Sequence, residues 1–179
     1  PTDRYFIYLS RSQDKSKNPL TPRDKLSVMK QMFPRHARNI VINPTNMVLD
    51  LATDLYNKGF TRVTMVVGSD RVREFEGILK RYNDKRNRHG YYNFDKIDVV
   101  SAGERDPDAE GATGMSASKM RAAAEKGDIT SFKLGLPSSF KNKADDLMKK
   151  VRKGMNLAAS YGGLGHVHGV NYKPVASLN

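Results

Sequence analysis

Two polar segments of the chain combine residue types that suit phosphate chemistry. Residues 10–19 carry three cations among hydroxyls and amides, and positioned cations stabilise the charge that spreads over phosphoryl oxygens during transfer. Residues 68–71 (Gly-Ser-Asp-Arg) follow an apolar run, where a glycine admits a ligand close to the backbone and a helix N-terminus attracts anions. The simpler alternatives are a solvated loop for the first segment and a turn capped by Ser69 or Asp70 for the second.

A third segment opens a predicted helix. Ser116 and Ser118 come at its start, where free backbone N–H groups form a phosphate cradle, and Lys119 and Arg121 add positive charge. The alternative is an ordinary serine cap in front of an alanine-rich helix.

A fourth segment, residues 102–114, is acidic in a basic protein. It holds four acids against one arginine and is long for a connection inside a compact domain, which is typical of a lid or binding loop. Carboxylates so arranged can hold Mg²⁺ through water, and a solvated acidic loop is the alternative.

Several site types are excluded by missing residues. The sequence has no G-x-x-x-x-G-K-[ST] loop and no G-x-G-x-x-G, so neither a P-loop enzyme nor a dinucleotide binder is supported. No cysteine is present, which excludes disulfides, thiolate metal sites and cysteine catalysis. His36 and His89 are isolated, and His166 and His168 lie in a glycine-rich stretch, so we expect no protein metal site.

Charge points to an anionic partner. Thirty-one Lys and Arg against nineteen Asp and Glu give the 179 residues a net charge of +12. Residues 71–90 hold seven cations against three acids, and residues 141–154 hold six against two. Such runs can bind DNA or an acidic protein, or form solvated helix faces. No apolar run is long enough to span a bilayer, so no membrane contact is expected.

The elements that must position these segments alternate along the chain. The spacing of apolar residues predicts strands over 5–9, 40–42, 63–67 and 97–100 and helices over 22–33, 47–58, 70–82, 116–126 and 141–154. Such alternation is typical of an α/β fold, a parallel sheet with helices on both faces. In the first helix, Leu26, Met29 and Phe33 are predicted to face the core. One domain over 1–155 and an extended tail over 156–179 are expected.

Three segments, in this order, resemble the nucleotidyltransferase superfamily, which includes the phosphopantetheine and nicotinamide-mononucleotide adenylyltransferases and the cytidylyltransferases. They are KNPLTPRDKL from Lys17, VVGSDRVREFE from Val66 and MSASKMR from Met115, the last matching the I-S-S-T-x-I-R signature. The nearest likeness is to nucleotidyltransferase-like proteins of large tailed phages, over residues 4–155.

The resemblance implies a Rossmann-like fold and transfer of AMP or CMP from ATP or CTP to a phosphate or hydroxyl acceptor, with release of pyrophosphate. It places Lys17 near the reacting phosphate and makes Lys17 and Arg121 catalytic. Mg²⁺ would bridge phosphates. The residues implied in binding the nucleotide and its phosphates are Ser116, Ser118, Lys119 and Arg121, together with Gly68, Ser69 and Asp70.

One superfamily motif is missing. H-x-G-H should precede the strand at Tyr5, on a strand–helix unit of about 30 residues, and the sequence begins at Pro1 without it. Residues 165–169 (Gly-His-Val-His-Gly) have the wrong order to replace it. The chain is therefore either part of a longer enzyme or a non-catalytic phage virion or assembly protein that binds DNA or a partner protein. Both interpretations place it in the cytoplasm of an infected host cell or in the virion, without a signal peptide, and allow a homo-oligomer.

Overall fold

The computed structural model describes residues 4–103 and 114–157, in which strands and helices alternate as predicted. The protein is mixed α/β. The elements are β1 (Ile7–Leu9), α1 (Pro22–Met32), β2 (Ile40–Ile42), α2 (Val48–Asn57), β3 (Arg62–Val67), α3 (Val72–Tyr82), β4 (Lys96–Ser101), α4 (Ala117–Lys126), α5 (Ile129–Leu134) and α6 (Ala144–Gly154), with short 3₁₀ turns at Pro34–His36, Ser69–Arg71 and Ser138–Lys143. The acidic stretch 104–113 and the predicted tail from residue 158 onward lie outside the described residues.

Capping residues explain where several helices begin and end. Thr21 accepts a 3.0 Å hydrogen bond from the backbone N–H of Asp24, and Pro22 occupies the first helical position of α1. After α2, Gly59 has a φ of +86°, the left-handed conformation in which a glycine commonly ends a helix.

The four strands pair as two separate sheets. β1 runs parallel to β2, with Ile7 opposite Ile40, and β3 runs parallel to β4, with Arg62 opposite Lys96. The prediction of one parallel sheet is therefore not confirmed for the residues that the structure describes. One edge of β3 is paired with β4: at its two ends, the carbonyls of Thr61 and Val67 accept hydrogen bonds from the backbone N–H groups of Asp95 and Ala102. Backbone groups of a strand point alternately to its two edges, and no described strand lies along the other edge of β3 to bond with them.

Two hydrophobic clusters form the core. One joins α1 to α4, α5 and α6 around Phe132 and Met148, both about 1% exposed. The other packs α2 and α3 against β3 and β4 around Tyr92. In α1 the predicted core face is wrong in part: Val28 is the buried residue, and Phe33 is 39% exposed because the helix ends there, ahead of Pro34.

The β3–β4 sheet is covered by helices on one face among the described residues, not on both as predicted. Val63, Met65 and Val67 pack toward α2 and α3. On the opposite face Val66 and its cross-strand partner Val100 are 62% and 42% exposed. Within the same residues, no helix has the length and apolar character needed to cross a membrane.

Candidate functional site

The loop after β1 is held in a fixed shape by Asp14. One carboxylate oxygen accepts hydrogen bonds from the backbone N–H groups of Ser16, at 3.0 Å, and Lys17, at 2.6 Å, and the other accepts from the Asn18 amide at 2.9 Å. These donors favour the ionised form and hold the pKa of Asp14 well below its usual range. The turn thereby fixes the backbone position of Lys17.

A lysine from the first helix anchors the other half of this loop. Lys25 Nζ donates to the backbone carbonyl of Ser12 at 2.6 Å and to Ser10 Oγ at 3.0 Å. Partial burial among these groups lowers the pKa of Lys25. The Lys17 ammonium, in contrast, makes no hydrogen bond or ion pair with any of the described residues, so it is available to a ligand.

The start of α4 shows which part of the predicted phosphate cradle is engaged. Ser116 caps the helix, because its Oγ accepts a 3.0 Å hydrogen bond from the backbone N–H of Lys119. The Lys119 ammonium donates to the carbonyl of Gly114 at 3.1 Å. The backbone N–H groups of Ala117 and Ser118 have no partner among the described residues. The cap and the cradle therefore coexist: Ser116 stabilises the first turn, and two backbone N–H groups there remain without a partner in ranges 4–103 and 114–157.

Arg121 joins α4 to the Lys17 loop. Its Nη1 donates to the backbone carbonyl of Lys17 and its Nη2 donates to Ser118 Oγ, both at 3.1 Å. A guanidinium has five N–H donors, so three remain for a ligand after these two bonds. The structure therefore brings together Lys17, Ser118 and Arg121, which come from two distant segments and were each predicted to bind phosphate.

The Gly68 turn is not part of this group in the residues that the structure describes. Gly68, Ser69 and Asp70 are exposed in a 3₁₀ turn that follows β3, and the backbone N–H of Arg71 closes it on the Gly68 carbonyl at 2.9 Å. No hydrogen bond or ion pair in ranges 4–103 and 114–157 links this turn to Lys17 or Arg121. A Cβ on Gly68 would lie 2.7 Å from the Asp70 carboxylate, so the glycine makes room for the Asp70 side chain within the turn.

A cavity of about 480 Å³ lies at the carboxyl ends of β1 and β2, where open α/β sheets bind ligands. Arg11 spans it, donating from Nη1 to the Pro44 carbonyl at 2.9 Å. Arg11 entered the sequence-based prediction only as one of the three cations of residues 10–19, and this cavity was not predicted. The signals were Arg11, two residues after β1, and Asn43-Pro44, directly after β2. Its lining combines two arginines with apolar surface: Arg11, Thr21, Pro22, Arg23, Ile42, Asn43 and Pro44.

A second cavity, of about 490 Å³, lies between the Asp14 turn and the end of α6. Both acidic and basic side chains line it, and an ion pair of 2.8 Å joins Lys150 to Asp24. The hydrogen bond from Lys150 lowers the pKa of Asp24. Thr21, the cap of α1, lines both cavities, so the first turn of α1 separates them.

Protein ligands for a metal are not grouped in the described part of the chain. No cluster of three or more histidine, aspartate or glutamate side chains occurs there, and the acidic segment 104–113 lies outside it.

No protein-family model, curated protein or solved structure matches the chain. Its function is therefore inferred from the residue pattern and from the geometry of this site.

Proposed function

We propose that the protein is a nucleotidyltransferase that transfers AMP or CMP from a nucleoside triphosphate to a phosphate or hydroxyl acceptor. The observation that carries the proposal is the contact of Arg121 with the Lys17 carbonyl. Two segments selected independently for phosphate binding meet through it, with Ser118 completing the group. The same guanidinium therefore holds the loop that carries Lys17 beside the start of α4.

The proposed reaction needs no protein nucleophile. An acceptor oxygen attacks the α-phosphorus, the bond from that phosphorus to the bridging oxygen of the β-phosphate breaks, and pyrophosphate leaves with the electron pair. When the acceptor is a hydroxyl, its proton passes to the solvent. Mg²⁺ neutralises phosphate charge when it is bound. The protein's part is to orient the phosphates: free N–H groups at the start of α4 and the remaining donors of Arg121 bind oxygens, and the Lys17 ammonium stabilises negative charge.

In this proposal the acceptor occupies the cavity at the ends of β1 and β2. Arg11 and Arg23 supply guanidinium groups, which can form bidentate hydrogen bonds with phosphate. Ile42 and Pro44 provide apolar contacts. These features favour a phosphorylated acceptor with an apolar portion over a plain hydroxyl compound.

The fold part of the proposal is that the two sheets are halves of one Rossmann-like sheet. Each of the four strands has one hydrogen-bonded neighbour among the described strands, so β1 and β3, like β2 and β4, have one edge that no described strand occupies. A further parallel strand between these edges would join the halves. The strand–helix unit that carries the superfamily's histidine motif is the element that the resemblance assigns to this part of the fold.

Nucleotide binding provides the first test. Isothermal titration with MgATP and MgCTP should show binding that falls at least about tenfold in Arg121→Ala, the loss of one or two charge-assisted hydrogen bonds. Arg73→Ala, which removes an arginine from α3, is the matched control and should bind like the wild type. No binding of either nucleotide, or equal affinity in Arg121→Ala, would overturn the proposal.

Turnover separates the enzyme from its non-catalytic alternative. Pyrophosphate release should be measured with both nucleotides and a panel of phosphate monoesters and hydroxyl acceptors. Release that depends on Lys17 supports the transferase. Nucleotide binding without release would support a virion or assembly protein that has kept the site and lost the chemistry.

A further inference from the structure

Five exposed cations lie on α3 and in the turn that follows it, and together they are here called the basic surface. It consists of Arg73, Arg81, Lys85, Arg86 and Arg88, all exposed. It lies outside the proposed nucleotide site, and its role is independent of nucleotidyl transfer.

The outer side of α3 is shaped to present charge. Phe75, Ile78 and Leu79 pack into the core, while Arg73, Gly77 and Arg81 repeat every four residues along the exposed side. Neither arginine forms an ion pair with a described residue. A Cβ on Gly77 would meet no atom within 4 Å, so no internal contact requires glycine there, and its effect is a smooth surface between two cations.

The turn over residues 84–92 is fixed to the body of the protein. Asn87 and Gly90 exchange two backbone hydrogen bonds of 3.0 Å, which places Arg88 and His89 at the tip. His89 is anchored to α2: its Nδ1 lies 2.6 Å from the Asp50 carboxylate, and its backbone carbonyl accepts a 2.9 Å hydrogen bond from Thr53. The cations of the turn are therefore held on a rigid support.

Two of these cations are also oriented individually. The Arg86 guanidinium lies over the Tyr91 ring, 5.6 Å from its centroid, and Tyr91 is itself held by a 2.7 Å hydrogen bond to Asp84. Arg88 Nε donates to His89 Nε2 at 3.0 Å, and its terminal nitrogens have no partner among the residues that the structure describes. Such preorganisation lowers the entropy that is lost when these side chains bind a ligand.

The other basic run of the sequence, residues 141–154, is used differently. Lys143 donates to Gln31, Lys150 pairs with Asp24, and Arg152 donates to the carbonyl of Ala124 at the end of α4. Three of its six cations thus hold helices together. The contacts of the basic surface with other described residues, in contrast, orient guanidiniums and join no helices. These cations are therefore placed to bind an external anion.

We propose that the basic surface binds the phosphate backbone of a nucleic acid. Planar guanidiniums match phosphate oxygens in two-pronged geometry, and they supply four of the five cations. The acids of this region do not cancel the charge: Glu76 is paired with Lys80, Asp84 is held by Tyr91, and Glu74 is the remaining carboxylate on α3. Exposed guanidiniums whose side chains are already oriented suit the repeated phosphates of a nucleic acid backbone.

Fluorescence anisotropy with a labelled duplex of about 30 base pairs, and with the corresponding single strand, tests this binding across a range of salt concentrations. In the triple variant Lys85→Gln, Arg86→Gln, Arg88→Gln, the slope of log K against log salt should fall by about 2.7, or about 0.9 for each phosphate that is no longer neutralised. The matched control is Lys126→Gln, Lys141→Gln, Lys149→Gln, which removes the same charge from exposed positions elsewhere. It should keep most of the slope and affinity.

Three results would overturn the proposal. They are the absence of binding to either nucleic acid at low salt, equal weakening in the two triple variants, and competition by polyglutamate as effective as that by unlabelled DNA at equal charge. The last result would assign the surface to an acidic protein. Circular dichroism of both variants verifies that each is folded, and Arg73→Gln with Arg81→Gln gives an independent second variant on α3.

Discussion

The guanidinium of Arg121 donates a 3.1 Å hydrogen bond to the backbone carbonyl of Lys17, a residue 104 positions earlier in the chain. It is a link from the first turns of α4 to the loop after β1. The same side chain donates to Ser118, so its orientation is fixed at two points. The Lys17 ammonium has no partner among the described residues, while its backbone is held from both sides, by Asp14 and by Arg121.

Arg121→Ala should loosen this loop without unfolding the protein. The two hydrogen bonds that it removes are at the surface, so the free energy of unfolding should fall by no more than about 1 kcal/mol in urea titration. Hydrogen exchange at the amides of residues 15–18 should accelerate clearly. Arg121→Lys keeps the positive charge but cannot make both hydrogen bonds, so its exchange rates should lie between those of the wild type and Arg121→Ala. Unchanged exchange in Arg121→Ala would show that Arg121 does not fix the loop.

Local patterns in the sequence were sufficient for the elements and their caps. Thr21 with Pro22, Gly59 after α2 and Ser116 before α4 act over one helical turn, so their effect can be inferred from neighbouring residues. β2 has the predicted bounds, and the other strands and main helices differ by one to three residues at their ends. The short segment at 129–134 is helix α5, which begins at the cap Asp128.

Asp14 should control the order of the loop. Asp14→Ala removes the acceptor of three backbone and amide donors, so we expect faster proteolysis and hydrogen exchange over residues 14–18 with little change in global unfolding. Because its pKa is lowered in the folded state, the contribution of Asp14 is present at neutral pH and is lost only as pH falls below the usual carboxylate range. Exchange in the wild type, corrected for intrinsic rates, should therefore stay slow down to about pH 3. Loss of protection near the usual aspartate pKa would contradict this.

Alanine substitutions at Gly154 and at Gly77 should change the free energy of unfolding in opposite directions. A Cβ at Gly154 would lie 1.9 Å from the Pro19 carbonyl oxygen, a backbone atom that cannot swing away. Gly154→Ala should therefore destabilise the protein by about 1–3 kcal/mol through overpacking. Gly77→Ala, in open space on exposed α3, should stabilise it by up to about 1 kcal/mol. Urea unfolding measures both, and equal effects would show that the close approach of α6 to Pro19 is not maintained.

Long-range pairing was beyond the reach of the sequence. Short strands of three residues, such as Ile7–Leu9, contain no register signal strong enough to tell one sheet from two. The cavity beside Arg11 depends on how the loop after β1, the loop after β2 and the first turn of α1 come together, and the signals at Arg11 and Asn43 do not indicate that juxtaposition. The meeting of Lys17 and Arg121 was implied by the family resemblance, but the atoms that join them, a backbone carbonyl and a guanidinium, were not.

Tyr92 is a completely buried tyrosine whose hydroxyl donates to the Leu79 carbonyl at 2.7 Å. Burial disfavours the phenolate and raises the pKa of Tyr92 to about 12. The unfolded chain ionises near pH 10, so between about pH 10 and 12 the folded state binds more protons than the unfolded state. Stability must then decrease as pH rises through this interval.

The size of this alkaline loss can be measured by urea unfolding at several pH values. Over the interval the free energy of unfolding should fall by about 2–3 kcal/mol from Tyr92 alone. Tyr92→Phe should cost about 1 kcal/mol at neutral pH, since the Leu79 carbonyl loses its donor, and should then show a much flatter alkaline limb. Tyr91→Phe is the control: its hydroxyl bonds to Asp84 near the surface, so most of the alkaline loss should remain. An equally steep limb in Tyr92→Phe would assign the loss to other groups: burial also raises the pKa of Tyr8, and the hydrogen bond to Asp84 raises that of Tyr91.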